Sequence, residues 1–495
     1  MTPNEYITHD ATGLAALIAT GEVTALEVLN AALAQTDRVN PRLNTLVVDL
    51  RELARTRAAG PLKGPFAGVP YLLKDLTHDL VGVPTTMGSR ALASYRPTVN
   101  ATVVQRALDG GLVIFGKTTL SEFAFKGTTE TALTGITRNP WNEQHTPGGS
   151  SGGAAAAVAG GMVPMAAASD GGGSIRIPAA YCGLFGLKPS RGRVPYGPRR
   201  GEGWDGAAAD LVISRSVRDT ARMLDVLAGP TTGTPYPFAR IERPFAEALA
   251  QPVKPLRIGF STTSPIGTPV APECVRAVEH AVALLSSLGH RVEPAAPEVD
   301  GDALAKTFLT MYFGQAAANI ADAKARANAT DDNFELDTRA LALLGRALSA
   351  GDSVAAMRRW SHYGHALATF QETYDLYLTP TTAELPAKIG QLAAPPAQQW
   401  AMRAIIALGL GKLLLASGII DTLARTNLRR TPFTQLANLT GTPAMSVPLH
   451  WTDGGLPVGV QFIGRLGDEA TLLQLGAQLE EAQPWFKRLA PITTS

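Results

Sequence analysis

Pro147-Gly-Gly-Ser-Ser-Gly-Gly153 and Ser169-Asp-Gly-Gly-Gly-Ser-Ile-Arg-Ile-Pro178 are two loops of small residues, and the rest of the chain is interpreted around them. Clustered glycines let the backbone approach another group closely or adopt left-handed dihedral angles. They also align free backbone N–H groups, which can hold a negatively charged oxygen. Because each loop carries serine, the pair indicates nucleophilic catalysis.

Composition argues against several classes of protein. The 495-residue chain has a net charge of +2 and 17% charged residues, so it lacks the basic clusters expected of a nucleic-acid-binding protein. Its two cysteines, Cys182 and Cys274, are too few for a disulfide scaffold and fit a reducing compartment. The N-terminus shows neither the basic nor the apolar region of a signal peptide. We therefore expect a cytoplasmic protein without a nucleic-acid partner.

Helical segments alternate with short apolar strands along the chain, which is typical of an α/β protein. Residues 68–76 are predicted to form a buried strand that carries Lys74 near its far end, and residues 112–116 a second one. A strand at 256–261, a helix at 272–288 and a strand at 291–293 would form a further β-α-β unit.

Residues 302–375 follow a helical pattern, and residues 404–420 form an apolar segment interrupted by Lys412. This segment is shorter than a typical membrane span and carries that charge at its centre. We interpret it as a helix that covers part of the core or of a substrate cavity, and a helix that touches a membrane is the alternative. No stable membrane insertion is expected.

A nucleophile elbow, G-x-S-x-G, is the main alternative for the first loop. Residues 148–152 and 149–153 both match it formally, but this arrangement needs an acid and a histidine later in the chain. None of the candidate histidines has an obvious partner signature: they are His280, His290, His362, His365 and His450. The elbow would also leave the second loop without a purpose.

Phosphate and metal sites are not expected. No G-x-G-x-x-G opens a helix after a predicted strand, and neither an H-E-x-x-H motif nor a close His/Asp cluster occurs. The sequence therefore predicts no metal and no cofactor.

A serine hydrolase without a histidine needs another base, and lysine can serve when it is buried and neutral. Desolvation lowers the pKa of a buried lysine towards the working range. Lys74 stands at the end of an apolar strand, where such desolvation is expected. The alternative is that Lys74 is simply solvated or paired with Asp75.

Several motifs resemble those of the amidase signature enzymes. Both loops match the family's Gly/Ser-rich signature, and Gly68-Val-Pro-Tyr-Leu-Leu-Lys-Asp75 matches its lysine motif. Matching motifs elsewhere are Arg138-Asn-Pro-Trp-Asn142, Leu378-Thr-Pro-Thr381, Leu436-Ala-Asn-Leu-Thr-Gly-Thr-Pro-Ala444 and Leu456-Pro-Val-Gly-Val-Gln461. The resemblance covers nearly the whole chain. Within the family, residues 65–76 and the C-terminal stretch are most similar to 6-aminohexanoate-cyclic-dimer hydrolases.

The resemblance implies a catalytic role for three side chains. Ser174 would be the acylated nucleophile. Ser150 would be a bridging serine that follows a cis peptide bond with Gly149. Lys74 would be the general base, which reaches Ser174 through Ser150.

The resemblance also implies supporting roles around these three. The backbone N–H groups of residues 171–174 would form the oxyanion hole, which includes Gly171, Gly172 and Gly173. Ser151, Asp170 and Arg176 match positions that hold the network in place. Phe125 falls where family members line the acyl pocket, with plain core packing as the alternative. One departure concerns Gly171, where the family usually has a larger residue; glycine there could widen the acyl side or loosen the hole.

The implied fold is one large α/β domain over residues 1–495, with a mixed twisted sheet and helices on both faces. Residues 60–200 would form the catalytic core, and the mainly helical residues 302–425 would shape the substrate cavity. The implied reaction is hydrolysis of a small-molecule carboxamide, and also of esters or carbamates, by a monomer or homodimer that needs no cofactor.

Two alternatives remain open. One is the amidase subunit of a tRNA-dependent amidotransferase, although that subunit usually has glutamine where Ile177 stands. The other is a catalytically inactive binding protein that keeps the scaffold, which the intact Lys74, Ser150 and Ser174 argue against.

Overall fold

A mixed sheet runs through the centre of the computed structural model, which describes residues 1–236, 238 and 243–494. The strands are β1 Leu46–Asp49, β2 Pro70–Lys74, β3 Val113–Thr118, β4 Glu130–Thr131, β5 Gly135–Ile136, β6 Met165–Asp170, β7 Phe185–Lys188, β8 Ala209–Ser214, β9 Arg257–Phe260, β10 Arg291–Pro294, β11 Leu376–Pro380, β12 Ala444–Trp451 and β13 Pro457–Ile463. Within these described residues, eleven strands form one sheet in the order β1-β3-β2-β6-β8-β7-β12-β13-β11-β9-β10, and β4 pairs with β5.

Helices surround the sheet and connect its strands. They are α1 Pro3–Tyr6, α2 Ala11–Ala19, α3 Ala25–Leu43, α4 Arg51–Ala58, α5 Thr102–Asp109, α6 Gly152–Ala159, α7 Arg176–Cys182, α8 Val217–Leu227, α9 Phe245–Ala248, α10 Pro272–Ser287, α11 Gly301–Ala327, α12 Leu336–Ala347, α13 Ala350–Thr373, α14 Pro396–Ala407, α15 Gly411–Ala416, α16 Ile419–Asn427, α17 Gln435–Thr440 and α18 Glu469–Ala482. The predicted fold class, a single α/β domain with a large mixed sheet, is confirmed.

Strand direction brings the lysine-bearing strand β2 and the strand β6, which leads into the second glycine loop, to one edge of the sheet. β2 is parallel to β3 and to β6, whereas β8 is antiparallel to β6. Because parallel strands have their carboxyl ends at the same edge, the end of β2 at Lys74 lies beside the end of β6 at Asp170. The loop that precedes α6 and the loop that precedes α7 meet at this edge.

Glycine is required in the first loop by close contact with neighbouring backbone. A Cβ on Gly149 would lie 2.6 Å from the carbonyl oxygen of Lys126, and one on Gly153 would lie 2.4 Å from that of Thr119. The helix that follows, α6, is made of glycine, alanine and one valine and is buried along its whole length. Small side chains therefore let the first loop and its helix lie inside the domain.

The apolar segment at 404–420 differs from the prediction. It is divided among α14, α15 and α16, and two of its large apolar side chains face solvent: Leu408 is 71% exposed and Leu413 65%. The prediction of a single helix is therefore wrong. The predicted covering of the core is confirmed in part, because Leu414, Leu415, Ile419 and Ile420 are partly buried and pack against the hydrophobic cluster that includes Phe308. Among the described residues no single helix has the length and hydropathy to cross a membrane. One bent pair of helices, α12 with α13, has the length and composition of a membrane span when the two are taken together.

Residues 111–118 have the spacing of a phosphate-binding loop, G-x-x-x-x-G-K-[S/T], but they do not form one. Residues 113–118 are strand β3, so no glycine-rich loop leads into a helix here. The Lys117 ammonium is fully buried and contacts Thr85 Oγ1 at 2.6 Å and Asp75 Oδ1 at 3.6 Å. Lys117 is therefore a structural residue of the sheet.

Candidate active site

A cleft opens where the ends of β2 and β6 meet the two glycine loops. Ser150, Ser169, Gly171 and Ser174 line one part of it, and Phe123 and Trp204 line another. Counting its open mouth, the cleft encloses about 570 Å³. The structure thus brings both predicted catalytic serines to one cavity.

Lys74 lies directly beneath these serines. Its Nζ atom is 2.8 Å from Ser150 Oγ and 2.7 Å from Ser169 Oγ. The side chain is fully buried, which rules out the alternative of a solvated lysine. Pairing with Asp75 is excluded as well, because that carboxylate accepts hydrogen bonds from Thr86 and faces Lys117 instead.

Burial lowers the pKa of Lys74 to about 7, although the nearby charges of Asp210 and Asp170 raise it. Near neutral pH a large fraction of this lysine is therefore an uncharged amine with a lone pair. An amine of that kind, within hydrogen-bond distance of a serine hydroxyl, has the geometry and the pKa of a general base.

The first loop presents Ser150 from a fixed backbone. The Gly149–Ser150 peptide bond is cis. The Ser151 hydroxyl donates to the carbonyl oxygen of Ser169 at 3.3 Å and accepts the Ser169 N–H at 3.4 Å, which ties this loop to β6. Ser151 therefore positions the loop and does not line the cleft.

The second loop is held by a buried ion pair. Asp170 accepts two hydrogen bonds from the Arg176 guanidinium, from Nε at 2.9 Å and from Nη2 at 2.8 Å, and both side chains are fully buried. The remaining donors of the guanidinium are satisfied by Asn438, Gln461 and the carbonyl oxygen of Thr434. Burial alone would raise the pKa of Asp170, but the Arg176 charge and hydrogen bonds hold it well below its usual range.

Three backbone N–H groups of this loop remain available for an oxyanion. Within the described part of the chain, no acceptor contacts the N–H of Gly171, Gly172 or Ser174. The prediction for Gly173 is wrong in this structure, because its N–H donates to Asp170 Oδ1 at 2.7 Å. Gly173 has a φ of +122°, which favours glycine, and its role is to turn the loop around the carboxylate.

Phe125 does not line the cleft. It is 5% exposed and stacks behind Trp204, with ring centroids 5.6 Å apart, and the Trp204 ring is the one that faces the cavity. Phe125 also contacts Tyr312 edge-on at 4.9 Å. Phe125 therefore supports two rings that line the cleft, Trp204 and Phe123, whose ring centroid is 6.2 Å from that of Phe125.

Sequence reasoning missed the role of Ser169 and of Asp210. Ser169 belongs to the second glycine loop, but its contact with Lys74 depends on the parallel pairing of β2 with β6, which the sequence does not reveal. Asp210 lies on β8, accepts a hydrogen bond from Tyr196 at 3.2 Å and raises the pKa of Lys74. No local motif marks it.

The histidines needed for a nucleophile elbow lie elsewhere. Among the described residues that line the cleft there is no histidine. His450 pairs with Glu273 at 3.0 Å, and His290 contacts Gln478 at 2.8 Å. In the part of the chain that the structure describes, no group of three His, Cys, Asp or Glu side chains could hold a metal ion.

Comparison with known proteins gives one consistent result. The model of a family described as amidase matches residues 27–412 and 420–473. The 6-aminohexanoate-cyclic-dimer hydrolase of Pseudomonas sp. (strain NK87) is 37% identical over 493 residues, which are 97% of this chain and 96% of that protein.

Two solved structures are also similar. A 6-aminohexanoate cyclic dimer hydrolase complexed with substrate superimposes with a TM-score of 0.90 at 34% identity, covering 98% of this chain and 99% of that one. A bacterial aryl acylamidase of the amidase signature enzymes superimposes with a TM-score of 0.82 at 27% identity, covering 98% of each chain.

Proposed function

Since this chain belongs to the amidase family of enzymes acting on amide C–N bonds, we propose that it is a serine amidohydrolase whose catalytic triad is Ser174, Ser150 and Lys74. One observation carries the proposal. A fully buried lysine with a pKa of about 7 contacts Ser150, and Ser150 and Ser174 line the same cleft.

The first half of the reaction forms an acyl-enzyme. The Ser174 hydroxyl passes its proton to Ser150, whose own proton moves to the neutral amine of Lys74, and Ser174 Oγ bonds to the substrate carbonyl carbon. The oxygen of the tetrahedral intermediate is stabilised by the free N–H groups of Gly171, Gly172 and Ser174; each such donor typically contributes about 3 kcal/mol. The C–N bond then breaks as the proton returns through Ser150 to the leaving nitrogen.

The second half releases the acid. Water attacks the ester of Ser174, its proton moves to Lys74 through Ser150, and the collapse of the second intermediate returns a proton to Ser174 Oγ. Every proton taken by Lys74 is given back, so the enzyme ends as it began. Asp170 and Arg176 touch no reacting atom in this scheme and act as positioning residues for the oxyanion loop.

The substrate class follows from the relatives and from the cleft. We propose small carboxamides, both linear and cyclic, such as nylon-type oligomers of 6-aminohexanoate and aryl amides, together with aryl esters and carbamates. The 6-aminohexanoate amides and the aryl amides are suggested by the names of the relatives, a 6-aminohexanoate cyclic dimer hydrolase and an aryl acylamidase. The aromatic side chains of Phe123 and Trp204 in the cleft suit an apolar substrate.

A labelling experiment tests the proposal. The protein is incubated with an aryl amide and with an aryl carbamate, and digested peptides are searched by mass spectrometry for a covalent adduct. We expect an adduct on Ser174 in the wild type, and neither adduct nor turnover in Ser174→Ala. Unchanged turnover in Ser174→Ala would overturn the whole mechanism.

A further inference from the structure

Gly171 is a glycine because of a neighbouring ring and not because of its own backbone. Its φ lies outside the left-handed range, so an L side chain could adopt this conformation. A Cβ on Gly171, however, would lie 2.7 Å from Cε3 and 2.9 Å from Cζ3 of Trp204. The space that a side chain would occupy at this position is filled by the indole of Trp204.

The turn that carries Trp204 is fixed by several contacts. Trp204 and Asp205 have φ values of 51° and 53°, which L residues seldom adopt. Arg191 Nε donates to the carbonyl oxygen of Gly206 at 2.6 Å, and Asn438 Nδ2 donates to that of Ala207 at 3.0 Å. The same Asn438 amide donates to Asp170, so one side chain joins the Trp204 turn to the oxyanion loop.

Other aromatic rings support the indole from behind. Phe125 stacks on Trp204 with an interplanar angle of 21°, and Tyr312 meets it edge-on at 5.5 Å and 88°. The Tyr312 hydroxyl in turn donates to the carbonyl oxygen of Phe125. Trp204 is half-buried and lines the cleft, so it presents a supported flat surface beside Gly171.

We propose that Trp204 is the wall of the acyl subsite and determines which acyl groups the enzyme accepts. This inference rests on the proposed function, and the assignment to the acyl side follows from its chemistry. The leaving nitrogen must face Ser150 to receive its proton, and the carbonyl oxygen must face the N–H groups of the loop. The acyl chain takes the remaining direction, along the loop beside Gly171, where the Trp204 ring lies.

The flat wall selects by shape. An unbranched alkyl chain or an aryl group can lie along the indole, whereas an acyl group branched at the carbon next to the carbonyl would meet the ring. The class of substrate expected is therefore amides of linear or planar acyl groups. A methylene that fits or clashes in an apolar pocket changes kcat/KM by about 10- to 200-fold.

A substrate pair tests the selection. The ratio of kcat/KM for the butanoyl p-nitroanilide to that for the 2,2-dimethylpropanoyl p-nitroanilide is measured in wild type, Trp204→Phe and Trp204→Ala. We expect the ratio to fall by about tenfold or more in Trp204→Ala and by less in Trp204→Phe. Butanoyl amides of two different amines serve as the control, and their ratio should not move. A shift in the amine ratio alone, or in neither ratio, would overturn the inference.

A double substitution tests the contact itself. Gly171→Ala should lower kcat/KM by about tenfold or more, because the methyl group displaces the ring or the loop. Adding Trp204→Ala should restore much of that loss. Gly172→Ala is the matched control, because its Cβ would lie 2.6 Å from Cζ of Phe308 and not near Trp204. Trp204→Ala should therefore fail to restore kcat/KM in Gly172→Ala. If the losses of Gly171→Ala and Trp204→Ala simply add in the double variant, the inference is overturned.

The two proposals fail in different ways. If Ser174→Ala still hydrolyses these anilides, the proposed function fails. If hydrolysis depends on Ser174 but the acyl ratio stays constant across the Trp204 variants, only this inference fails. Thermal melting of each variant shows that it is folded, and Trp204→Phe, which keeps an aromatic ring, stands in if Trp204→Ala does not fold.

Discussion

Ser169 Oγ and Lys74 Nζ lie 2.7 Å apart, on the ends of two parallel strands. A neutral amine has two N–H donors and one lone pair. When Ser169 accepts one N–H, the lone pair is free to turn towards Ser150, which lies 2.8 Å away. In the proposed mechanism Ser169 would therefore be a positioning residue for Lys74 and would direct its lone pair towards the Ser150 proton.

Ser169→Ala should lower kcat for amide hydrolysis by about tenfold, since a hydrogen bond of this strength contributes about 1 to 1.5 kcal/mol. Ser169→Thr keeps the hydroxyl and should retain most of the activity. Steady-state kinetics with an aryl amide check both variants, and the loss should fall mainly on kcat because the Ser169 hydroxyl contacts Lys74 Nζ. Equal losses in the Ala and Thr variants would show that packing, and not the hydroxyl, is what matters.

The pH dependence of kcat/KM should report the ionisation of Lys74. Activity should rise through about pH 7 as Lys74 loses its proton and then level off. Asp210 raises the pKa of Lys74 because its negative charge stabilises the ammonium form. Removing that charge in Asp210→Asn should therefore shift the rising limb to lower pH, by on the order of half a unit or more.

A matched variant controls for general effects of the substitution. Asp205 also stands beside the cleft, where its carboxylate accepts a hydrogen bond from Gln315 at 3.1 Å, and it is not among the charges that act on Lys74. Asp205→Asn should not shift the rising limb of the pH profile of kcat/KM. A limb that moves to higher pH in Asp210→Asn would contradict the role given to Lys74.

Lys74→Ala should impair amide hydrolysis far more than ester hydrolysis. The amine of an amide leaves poorly unless its nitrogen is protonated, whereas the aryloxide of an aryl ester leaves readily without a proton. Loss of a general acid–base residue typically costs 10²- to 10⁴-fold, and we expect the amide to lose within that range and the ester to lose less. Parallel kinetics with an amide and an ester of the same acyl group check this, and small equal losses would remove Lys74 from its proposed role.

Much of this arrangement was predictable because it is local in the sequence. The apolar strand that ends in Lys74, the two glycine loops and the alternation of helix and strand are each visible within about ten residues. The proposed proton path between Ser150 and Lys74 rests on resemblance to a family, since no spacing rule joins residues that are far apart in the chain.

The features that the sequence did not reveal depend on long-range packing. Trp204 fills the space at Gly171 from a separate turn, so glycine at that position appeared as an unexplained departure. Gly173 was grouped with its neighbours, but its N–H is used by the Asp170 carboxylate. The apolar residues at 404–420 predicted one helix that covers the core, yet the segment is divided among three helices and only part of its apolar surface packs on the core.

Asp170→Asn should strongly destabilise the fold. The substitution removes the only negative charge bound to the fully buried Arg176 among the described residues, and an uncompensated buried charge costs about 3 to 5 kcal/mol. Urea unfolding measures the free energy of unfolding. Glu52→Gln is the control, because Glu52 is 82% exposed and pairs with Arg55, and it should change the free energy by less than about 1 kcal/mol.

The difference in free energy of unfolding between wild type and Asp170→Asn should depend on pH in one direction. Arg176 holds the pKa of Asp170 below its unfolded value of about 4, so the stabilisation is complete above that value and is lost as the pH falls towards the folded pKa. The gap in free energy of unfolding between wild type and Asp170→Asn should therefore be constant from about pH 5 to 8 and should narrow below about pH 4. A gap that widens on acidification would show that the Asp170 carboxylate is not held in its charged form by Arg176.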